Sequence, residues 1–219
     1  MRENMDRVLR EIASLIKRED RRFTIGISGH GASGKTTFAH NLLNLLERDN
    51  VNYINTDPYI IGSQLRKYTL INYDYKNELH QEKMTACHPA AHNIFALERD
   101  IHMMKDGLDF YTISTNHTKS MLISSQNKIN IVEGMTVAFT DMKLYDLKIY
   151  LYSDGETELM RRSIRDVTER GTDINYLRKS HEERRIQYEL FMHPYSQQFD
   201  MVVKTQDDEF RIEKNTLVK

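Results

Sequence analysis

A glycine-rich string near the N-terminus carries the clearest chemistry in this sequence. Residues 29–36 read G-x-x-x-x-G-K-[ST], the spacing of a phosphate-binding loop. Glycines let backbone N–H groups converge on phosphate oxygens, the lysine reaches the β- and γ-phosphates, and the hydroxyl that follows binds Mg²⁺. A fortuitous glycine-rich turn is the alternative, but here a predicted strand precedes the string and a predicted helix follows it. The predicted nucleotide-binding residues of this loop are Gly29, His30, Gly31, Ala32, Ser33, Gly34, Lys35, Thr36 and Thr37.

Two carboxylates lie at the ends of predicted strands. Phosphoryl transfer needs one carboxylate to support the metal and one to accept the proton of the acceptor hydroxyl. Glu133 follows the apolar run at 129–132, the usual place for a metal-supporting acid. Asp57 follows the run at 51–56, and Pro58 keeps it out of helical geometry. Because ligands of open α/β sheets gather beyond the carboxyl ends of the strands, both acids would face one crevice. An acid at a strand end is often only a turn residue, and that alternative stays open for each.

Arginines concentrate on one predicted helix, residues 156–170. Arg162 and Arg165 lie three positions apart and so project from one face. Such clusters are often only a solvated surface. Beside a phosphate site they favour a lid that closes on the transferring phosphate and excludes water, and we place this lid at 156–172. The arginines of this helix are Arg161, Arg162, Arg165 and Arg170.

The elements that must position these residues alternate between strands and helices. Apolar side chains recur every three or four residues within positions 1–20, which predicts an N-terminal helix. Residues 108–127 indicate a β-hairpin flap, whereas residues 60–87 show no clear element and the C-terminal tail is charged. The alternation predicts an α/β fold with a mainly parallel sheet flanked by helices. Further helices are predicted at about 35–48, 88–105 and 174–191, and strands at about 23–27, 51–56, 129–132, 147–151 and 200–203.

Composition limits the function classes. The 219 residues include 31 Lys or Arg and 32 Asp or Glu, giving a net charge of −1. A near-neutral chain has no bulk attraction to nucleic acid or to anionic membranes, so we expect neither as a partner. The single cysteine, Cys87, excludes an internal disulfide framework and an all-cysteine zinc site. The N-terminus lacks the apolar segment of a signal peptide, which favours one cytoplasmic domain over 1–219.

Several motifs together resemble the uridine kinase family, within the wider uridine kinase/phosphoribulokinase group of P-loop kinases. The resemblance covers about residues 23–204, nearly the whole chain. The string at 161–166 with Glu169, Arg170 and Gly171 is similar to the family's lid pattern and is the most discriminating motif after the loop. The other matching strings are Asp57-Pro58-Tyr59, His88-Pro89-Ala90-Ala91, Lys105-Asp106-Gly107, Ile131-Val132-Glu133-Gly134, Asp146-Leu147-Lys148-Ile149-Tyr150 and His193-Pro194.

The resemblance implies a P-loop kinase-type sheet with five parallel strands, a β-hairpin flap and an Arg-rich helical lid. It implies ATP and Mg²⁺ as cofactors, with Thr36 and Glu133 supporting the metal. Asp57 would be the catalytic base, assisted by Lys35 and Arg165. Arg162 would contact the nucleotide, and an oligomer is possible. The residues implied for acceptor binding are Asp57, Tyr59, His117, Arg165 and Arg170.

Departures from the family pattern fall on the acceptor side. The family's acid that holds the ribose is Cys87 here, its Y-D-F string is Thr112-Ile113-Ser114, and the second arginine of its R-G-R is Thr172. A thiol is only a weak hydrogen-bond partner and cannot replace a carboxylate that accepts two hydroxyls. A pyrimidine nucleoside, uridine or cytidine, is the first acceptor to expect. The alternatives are another nucleoside-like compound, a sugar phosphate, a pantothenate-type alcohol, or a degenerate kinase that only binds nucleotides.

Overall fold

The computed structural model describes residues 5–115, 118–168, 173–206 and 209–217. Helices and strands alternate along the chain, as the sequence pattern predicts. The α-helices are α1 (Met5–Ile16), α2 (Lys35–Leu45), α3 (Ser63–Arg66), α4 (Ile94–Lys105), α5 (Gly155–Thr168) and α6 (Ile174–Phe191). The strands are β1 (Phe23–Ser28), β2 (Val51–Asn55), β3 (Leu70–Tyr75), β4 (Glu78–Lys83), β5 (Phe110–Tyr111), β6 (Leu122–Ile123), β7 (Ile129–Glu133), β8 (Leu147–Ser153), β9 (Met201–Gln206) and β10 (Glu209–Asn215).

The central sheet has the strand order β10-β9-β8-β1-β7-β2. Five neighbouring strands run parallel, and β10 pairs antiparallel with β9 at one edge. β1 lies in the middle and is buried at all six positions, as a parallel strand with both faces covered should be. The α/β class and the five-stranded parallel core are confirmed.

Two apolar clusters, one on each face, hold the sheet between helices. α1 and α2 cover one face, where Leu9, Ile16 and Leu42 are almost fully buried. α4 and the carboxyl-terminal part of α6 cover the other face through Leu97, Ile101 and neighbouring side chains. The apolar stripe of the N-terminal helix packs against this sheet. This packing explains the amphipathic pattern from which the helix was predicted. In the described part of the chain, no helix is long and apolar enough to cross a membrane.

The structure corrects several element boundaries. The helix predicted at 88–105 begins only at Ile94, because Pro89–Ala91 forms a separate 3₁₀ turn. α2 ends at Leu45, three residues before the predicted end. The flap at 108–127 pairs only through the two-residue strands β5 and β6. α5 matches the predicted lid helix as far as Thr168, and residues 169–172 lie outside the described part.

Two elements had no counterpart in the sequence prediction. β3 and β4 form an antiparallel hairpin within 60–87, where the polar composition gave no periodicity. β10 is formed by the C-terminal tail, for which the sequence showed only a high charge. Its residues alternate between exposed and half-buried. Both missed elements are half-exposed antiparallel strands, whose alternation is easily hidden among charged side chains.

Candidate active site

The phosphate-binding loop joins the carboxyl end of β1 to the first turn of α2. The φ angles of Gly29, Ala32 and Gly34 are 149°, 63° and 88°, so the chain turns sharply three times. A Cβ atom at Gly29 would overlap the carbonyl oxygen of Leu151 in β8, so only glycine lets the loop pass this close to the sheet. The first N–H groups of α2 have no acceptor within the helix and add its positive end to the loop.

Glu133, at the end of β7, is the centre of a polar network beside this loop. The hydroxyl of Thr36 donates to Glu133 Oε1 at 3.3 Å, and Nζ of Lys35 lies 3.9 Å from the same oxygen. Tyr53 and Asn55 donate to Oε2 at 2.8 and 3.1 Å. Burial, and next the charge of Glu133, raise the pKa of Tyr53, which therefore remains a donor. The carboxylate is thus fixed beside the loop lysine and threonine.

Asp57 reaches the same edge of the sheet from the neighbouring strand. β2 and β7 are paired in parallel with Asn55 opposite Glu133, and the Thr56 N–H donates to the Glu133 carbonyl at 2.8 Å. The backbone N–H of Asp57 donates to Asn55 Oδ1 at 2.9 Å, which fixes the start of a 3₁₀ turn. The Asp57 side chain is exposed, and no hydrogen bond or ion pair joins its carboxylate to another described residue.

A cavity of about 650 Å³ opens between the loop, α5 and the β9–β10 edge. Arg161 donates to the Ala32 carbonyl at 3.4 Å and to the Thr205 hydroxyl at 2.8 Å, which ties α5 to the loop. The lining side chains from the loop and α2 include Lys35, Thr36, Thr37 and Asn41, those from α5 are Arg161 and Arg165, and those from the sheet edge are Thr205, Glu209 and Phe210.

The structure places two of the predicted site residues away from this cavity. Arg162 was expected to contact the nucleotide with Arg165, but it does not line this cavity. It is buried, and one of its nitrogens lies 3.5 Å from Glu158. Arg161 and Arg165 share the cavity face because residues four apart stack on a helix. Tyr59 was expected to touch the acceptor, but its ring is buried and its hydroxyl donates to Asp100 in the core.

Two further predicted acceptor residues, His117 and Arg170, lie outside the described residues. The structure adds site residues that the sequence did not single out. Tyr53 and Asn55 point toward Glu133 from β2, and Arg161 touches the loop. Arg161 belongs to the arginine string that the sequence already showed, whereas the contributions of β9 and β10 had no sequence signal.

His30, in the second position of the loop, faces inward rather than toward a phosphate. The Ser153 N–H donates to its Nε2 at 2.9 Å, so the proton is on Nδ1, which donates to the Gly31 carbonyl at 2.8 Å. Glu158 lies 3.6 Å from Nδ1 and is itself paired with Arg185 at 3.0 Å. The ring therefore lies between the loop and α5 as a neutral group.

We expect the free energy of unfolding to decrease as the pH falls below about 6.5, the ordinary pKa of histidine. Burial lowers the pKa of both His30 and His92 to about 4 in the folded protein. Between these values the unfolded chain binds protons that the folded chain does not. The stabilisation is therefore complete at neutral pH and is lost on acidification, by about 2 kcal/mol per histidine at pH 5.

Urea unfolding at neutral pH and near pH 5 measures this loss. The charged groups that act on His30 are Glu158, Arg185 and Lys35, and those that act on His92 are Arg66 and His88. His92→Gln removes one of these two rings, so its stability should fall by about 2 kcal/mol less than that of the parent over the same interval. Equal unfolding free energies at the two pH values in the parent protein would contradict the prediction.

The residues present fit a nucleoside triphosphate with Mg²⁺. The Ser33 hydroxyl at the loop is buried without a hydrogen-bond partner in the described part of the chain, and the loop backbone leaves no space for a side chain at Gly29. Glu133 and Thr36 offer oxygen atoms, which Mg²⁺ prefers, and this metal commonly takes only one or two protein ligands besides phosphate. The loop and the carboxylate at its side therefore suit a metal-bound phosphate chain.

A parallel sheet with a phosphate-binding loop after its central strand, and an Arg-bearing helix over that loop, defines the P-loop kinases. A model described as the Phosphoribulokinase / Uridine kinase family matches residues 24–209, and the chain belongs to this family. It is accordingly an ATP-binding phosphotransferase with a hydroxyl group as acceptor.

Individual proteins show how far this similarity extends. The uridine kinase of Lactobacillus helveticus (strain DPC 4571) is 31% identical over 162 residues, which cover 69% of this chain and 71% of that protein. Uridine-cytidine kinase-like 1 of Mus musculus is 28% identical over 186 residues, and the match spans only 31% of that longer protein. The structure of D-glycerate 3-kinase from Cryptococcus neoformans matches with a TM-score of 0.60, covering 97% of this chain and 99% of that one. At 10% identity this last match shows a shared fold.

Proposed function

We propose that the protein transfers the γ-phosphoryl group of ATP to a hydroxyl group of a small molecule, with Asp57 as the base. The strongest support is that Lys35 and Thr36 both lie next to Glu133. Asp57 lies at the same edge of the sheet, at the end of the neighbouring strand β2. Phosphoryl transfer requires chiefly this combination of positioning and charge stabilisation.

Each residue has a defined part in this reaction. Asp57 accepts the proton of the acceptor hydroxyl as its oxygen bonds to the γ-phosphorus, while the bond to the β–γ bridging oxygen breaks and ADP leaves. Lys35 and Arg165 stabilise the negative charge that is transferred. Thr36 and Glu133 would hold Mg²⁺, which neutralises charge on the phosphates when it is bound.

ADP release from Mg²⁺-ATP, with and without candidate acceptors, tests this function. Uridine and cytidine come first, because the relatives are named for them. Acceptor-dependent release supports the proposal. Nucleotide binding without turnover for every acceptor class would indicate a degenerate kinase that acts as a nucleotide-binding module.

A different acceptor is favoured by the environment of Cys87. This thiol is buried, and burial raises its pKa to about 11, so it carries no charge at neutral pH. Its Sγ cannot hold a pair of ribose hydroxyls as a carboxylate does. A nucleoside-like compound, a sugar phosphate or a pantothenate-type alcohol is therefore the second candidate.

We expect Tyr53→Phe to raise the Mg²⁺ concentration for half-maximal ADP release by about tenfold or more, because residues that orient a metal-supporting carboxylate typically contribute this much. The Tyr53 hydroxyl donates to Glu133 Oε2 at 2.8 Å, and phenylalanine leaves that oxygen with Asn55 alone among its described partners. A Mg²⁺ titration at saturating ATP measures the change. Tyr68→Phe, at an exposed tyrosine, is the control. An unaltered Mg²⁺ requirement would contradict the role of Glu133.

A further inference from the structure

His30 is buried beneath the phosphate-binding loop and bonds to the loop backbone. Its side chain is almost fully buried, and it is not among the residues that line the cavity beside the loop. Its Nδ1–H donates to the Gly31 carbonyl at 2.8 Å, while its Nε2 accepts from the Ser153 N–H at 2.9 Å. One ring thus joins a carbonyl of the loop to the carboxyl end of β8.

The bond to the Gly31 carbonyl determines the direction of the next N–H group. No described peptide bond is cis, and in a trans peptide the C=O and N–H bonds point in opposite directions. Because the Gly31 oxygen is turned toward the buried ring, the Ala32 N–H points to the other side of the loop. Ala32 lines the cavity of about 650 Å³, and no hydrogen bond within the described part of the chain occupies its N–H.

The backbone conformation of Ala32 needs support from its surroundings. Its φ angle of 63° lies in the left-handed region, which a residue with a Cβ adopts only where neighbouring groups hold it. His30 holds the peptide that precedes Ala32, and Arg161 of α5 donates to the Ala32 carbonyl at 3.4 Å. Both peptides that flank this residue are therefore tied to side chains outside the loop backbone.

α5 and α6 fix the His30 ring from the side opposite the loop. Glu158 Oε2 of α5 lies 3.6 Å from Nδ1 and accepts a hydrogen bond from Arg185 of α6 at 3.0 Å. Arg185 also donates to the carbonyl of Ser153 at 3.2 Å, and the Ser153 N–H bonds to the ring. Tyr188 of α6 meets the ring edge-on, with the two centroids 4.6 Å apart. The ring therefore has one orientation, and this orientation presents Nδ1–H to the loop.

We infer that His30 is a positioning residue for the nucleotide, which holds the Gly31 carbonyl and so aims the Ala32 N–H at a phosphate oxygen. The histidine acts on the ligand through the loop backbone and does not touch it. The role rests on the proposed function in so far as it requires ATP in the loop, but it does not depend on which acceptor the protein uses.

Two amide substitutions separate the two hydrogen bonds of the ring. Asparagine places an N–H donor near the position of Nδ1, whereas glutamine places an acceptor oxygen near that of Nε2. His30→Gln loses the bond to Gly31 and should weaken binding of a non-hydrolysable ATP analogue by about 10- to 100-fold, the contribution of one hydrogen bond to a charged group. His30→Asn keeps that bond and should bind the analogue about as tightly as the parent does.

Calorimetric titration of the variants with the analogue measures these affinities. His102→Gln is the matched control, because His102 is an exposed histidine on α4, which packs on the other face of the sheet. Its substitution should leave the affinity unchanged. Equal affinities of His30→Gln and His102→Gln would overturn the inference.

Urea unfolding separates this role from packing alone. Both substitutions of His30 remove the ring from its contact with Tyr188, so both variants should be less stable than the parent. Their affinities for the analogue should nevertheless differ. Equal losses of affinity in His30→Asn and His30→Gln would overturn the inference, because packing of the ring and not its bond to Gly31 would then govern binding.

The parent protein allows a measurement that does not require any variant to fold. Hydrogen exchange of the Ala32 amide, followed by NMR, should slow when the analogue saturates the loop, because the N–H then donates to a phosphate oxygen. An exchange rate that the analogue does not change would contradict the aim of this N–H.

Failure of the role of His30 and failure of the proposed function give different results. If the parent binds the analogue and His30→Gln binds it equally tightly, only the role of His30 is wrong. If the parent does not bind the analogue, the proposed function is wrong, and the role of His30 is wrong with it.

Discussion

Asp57→Asn should lower kcat for acceptor-dependent ADP release by about 10²- to 10⁴-fold, the usual contribution of a general base. Asparagine keeps the shape of the side chain but cannot accept a proton. Because the Asp57 carboxylate is exposed and makes no bond to the described part of the chain, folding should not change. The Asp57 N–H donates to Asn55 through the backbone, so this contact survives the substitution. ADP release at saturating ATP and acceptor, beside urea unfolding of both proteins, measures the two quantities.

Asp49→Asn is the matched control. Asp49 is an exposed aspartate at the opposite end of the same strand, in the 3₁₀ turn before β2. Its substitution makes the same change of charge away from the loop, so kcat should remain that of the parent. If Asp57→Asn turns over as fast as Asp49→Asn, another group accepts the proton and the base assignment is wrong.

The nucleotide side of the site could be predicted because its determinants are local. The eight-residue string sits between a strand and a helix, and its first and last glycines, Gly29 and Gly34, have the positive φ angles that such a loop requires. Glu133 and Asp57 follow from a second rule, that parallel strands present their carboxyl ends at one edge. The pairing of Asn55 with Glu133 brings these two strand ends together.

Contacts between distant parts of the chain could not be read in the same way, because these residues meet only through packing. Arg184 lies in the run His-Glu-Glu-Arg-Arg, which looks like the solvated face of a helix. Only the fold shows that Arg185 bonds to Glu158, while Nε of its neighbour Arg184 has no hydrogen-bond partner among the described residues. Tyr53 likewise reads as a packing residue until the register of β2 places its hydroxyl on Glu133.

The arginine helix shows that the spacing of residues alone does not determine which of them face the cavity. The sequence places Arg162 and Arg165 on one face, since residues three apart are neighbours. In the structure Arg161 and Arg165 line the nucleotide cavity, and Arg162 turns inward to Glu158. The choice between the two faces depends on how α5 packs on α6 and the loop, which the spacing of arginines does not determine.

Gly29→Ala should weaken ATP binding by at least about 100-fold, or 2.7 kcal/mol. It should also lower the free energy of unfolding by about 3 kcal/mol or more, through backbone strain and overpacking. The φ angle of 149° at this position is one that residues with a Cβ rarely adopt. The new methyl group would also overlap the carbonyl oxygen of Leu151. That oxygen belongs to the backbone of the buried strand β8 and cannot rotate away, so the loop itself must shift.

Gly31→Ala separates this effect from a general intolerance of the loop to side chains. A Cβ at Gly31 meets no atom within 4 Å, and its φ is not in the left-handed range, so the free energy of unfolding should stay close to that of the parent. Calorimetric titration with a non-hydrolysable ATP analogue, together with urea unfolding of both variants, distinguishes the two glycines. Gly29→Ala could instead bind the analogue as tightly as the parent does. The close contact between the loop and Leu151 would then not be needed to orient the backbone N–H groups of the loop, and the prediction would be wrong. If it loses binding but keeps its stability, the loop has moved without disturbing β8, and the strain is confined to the phosphate site.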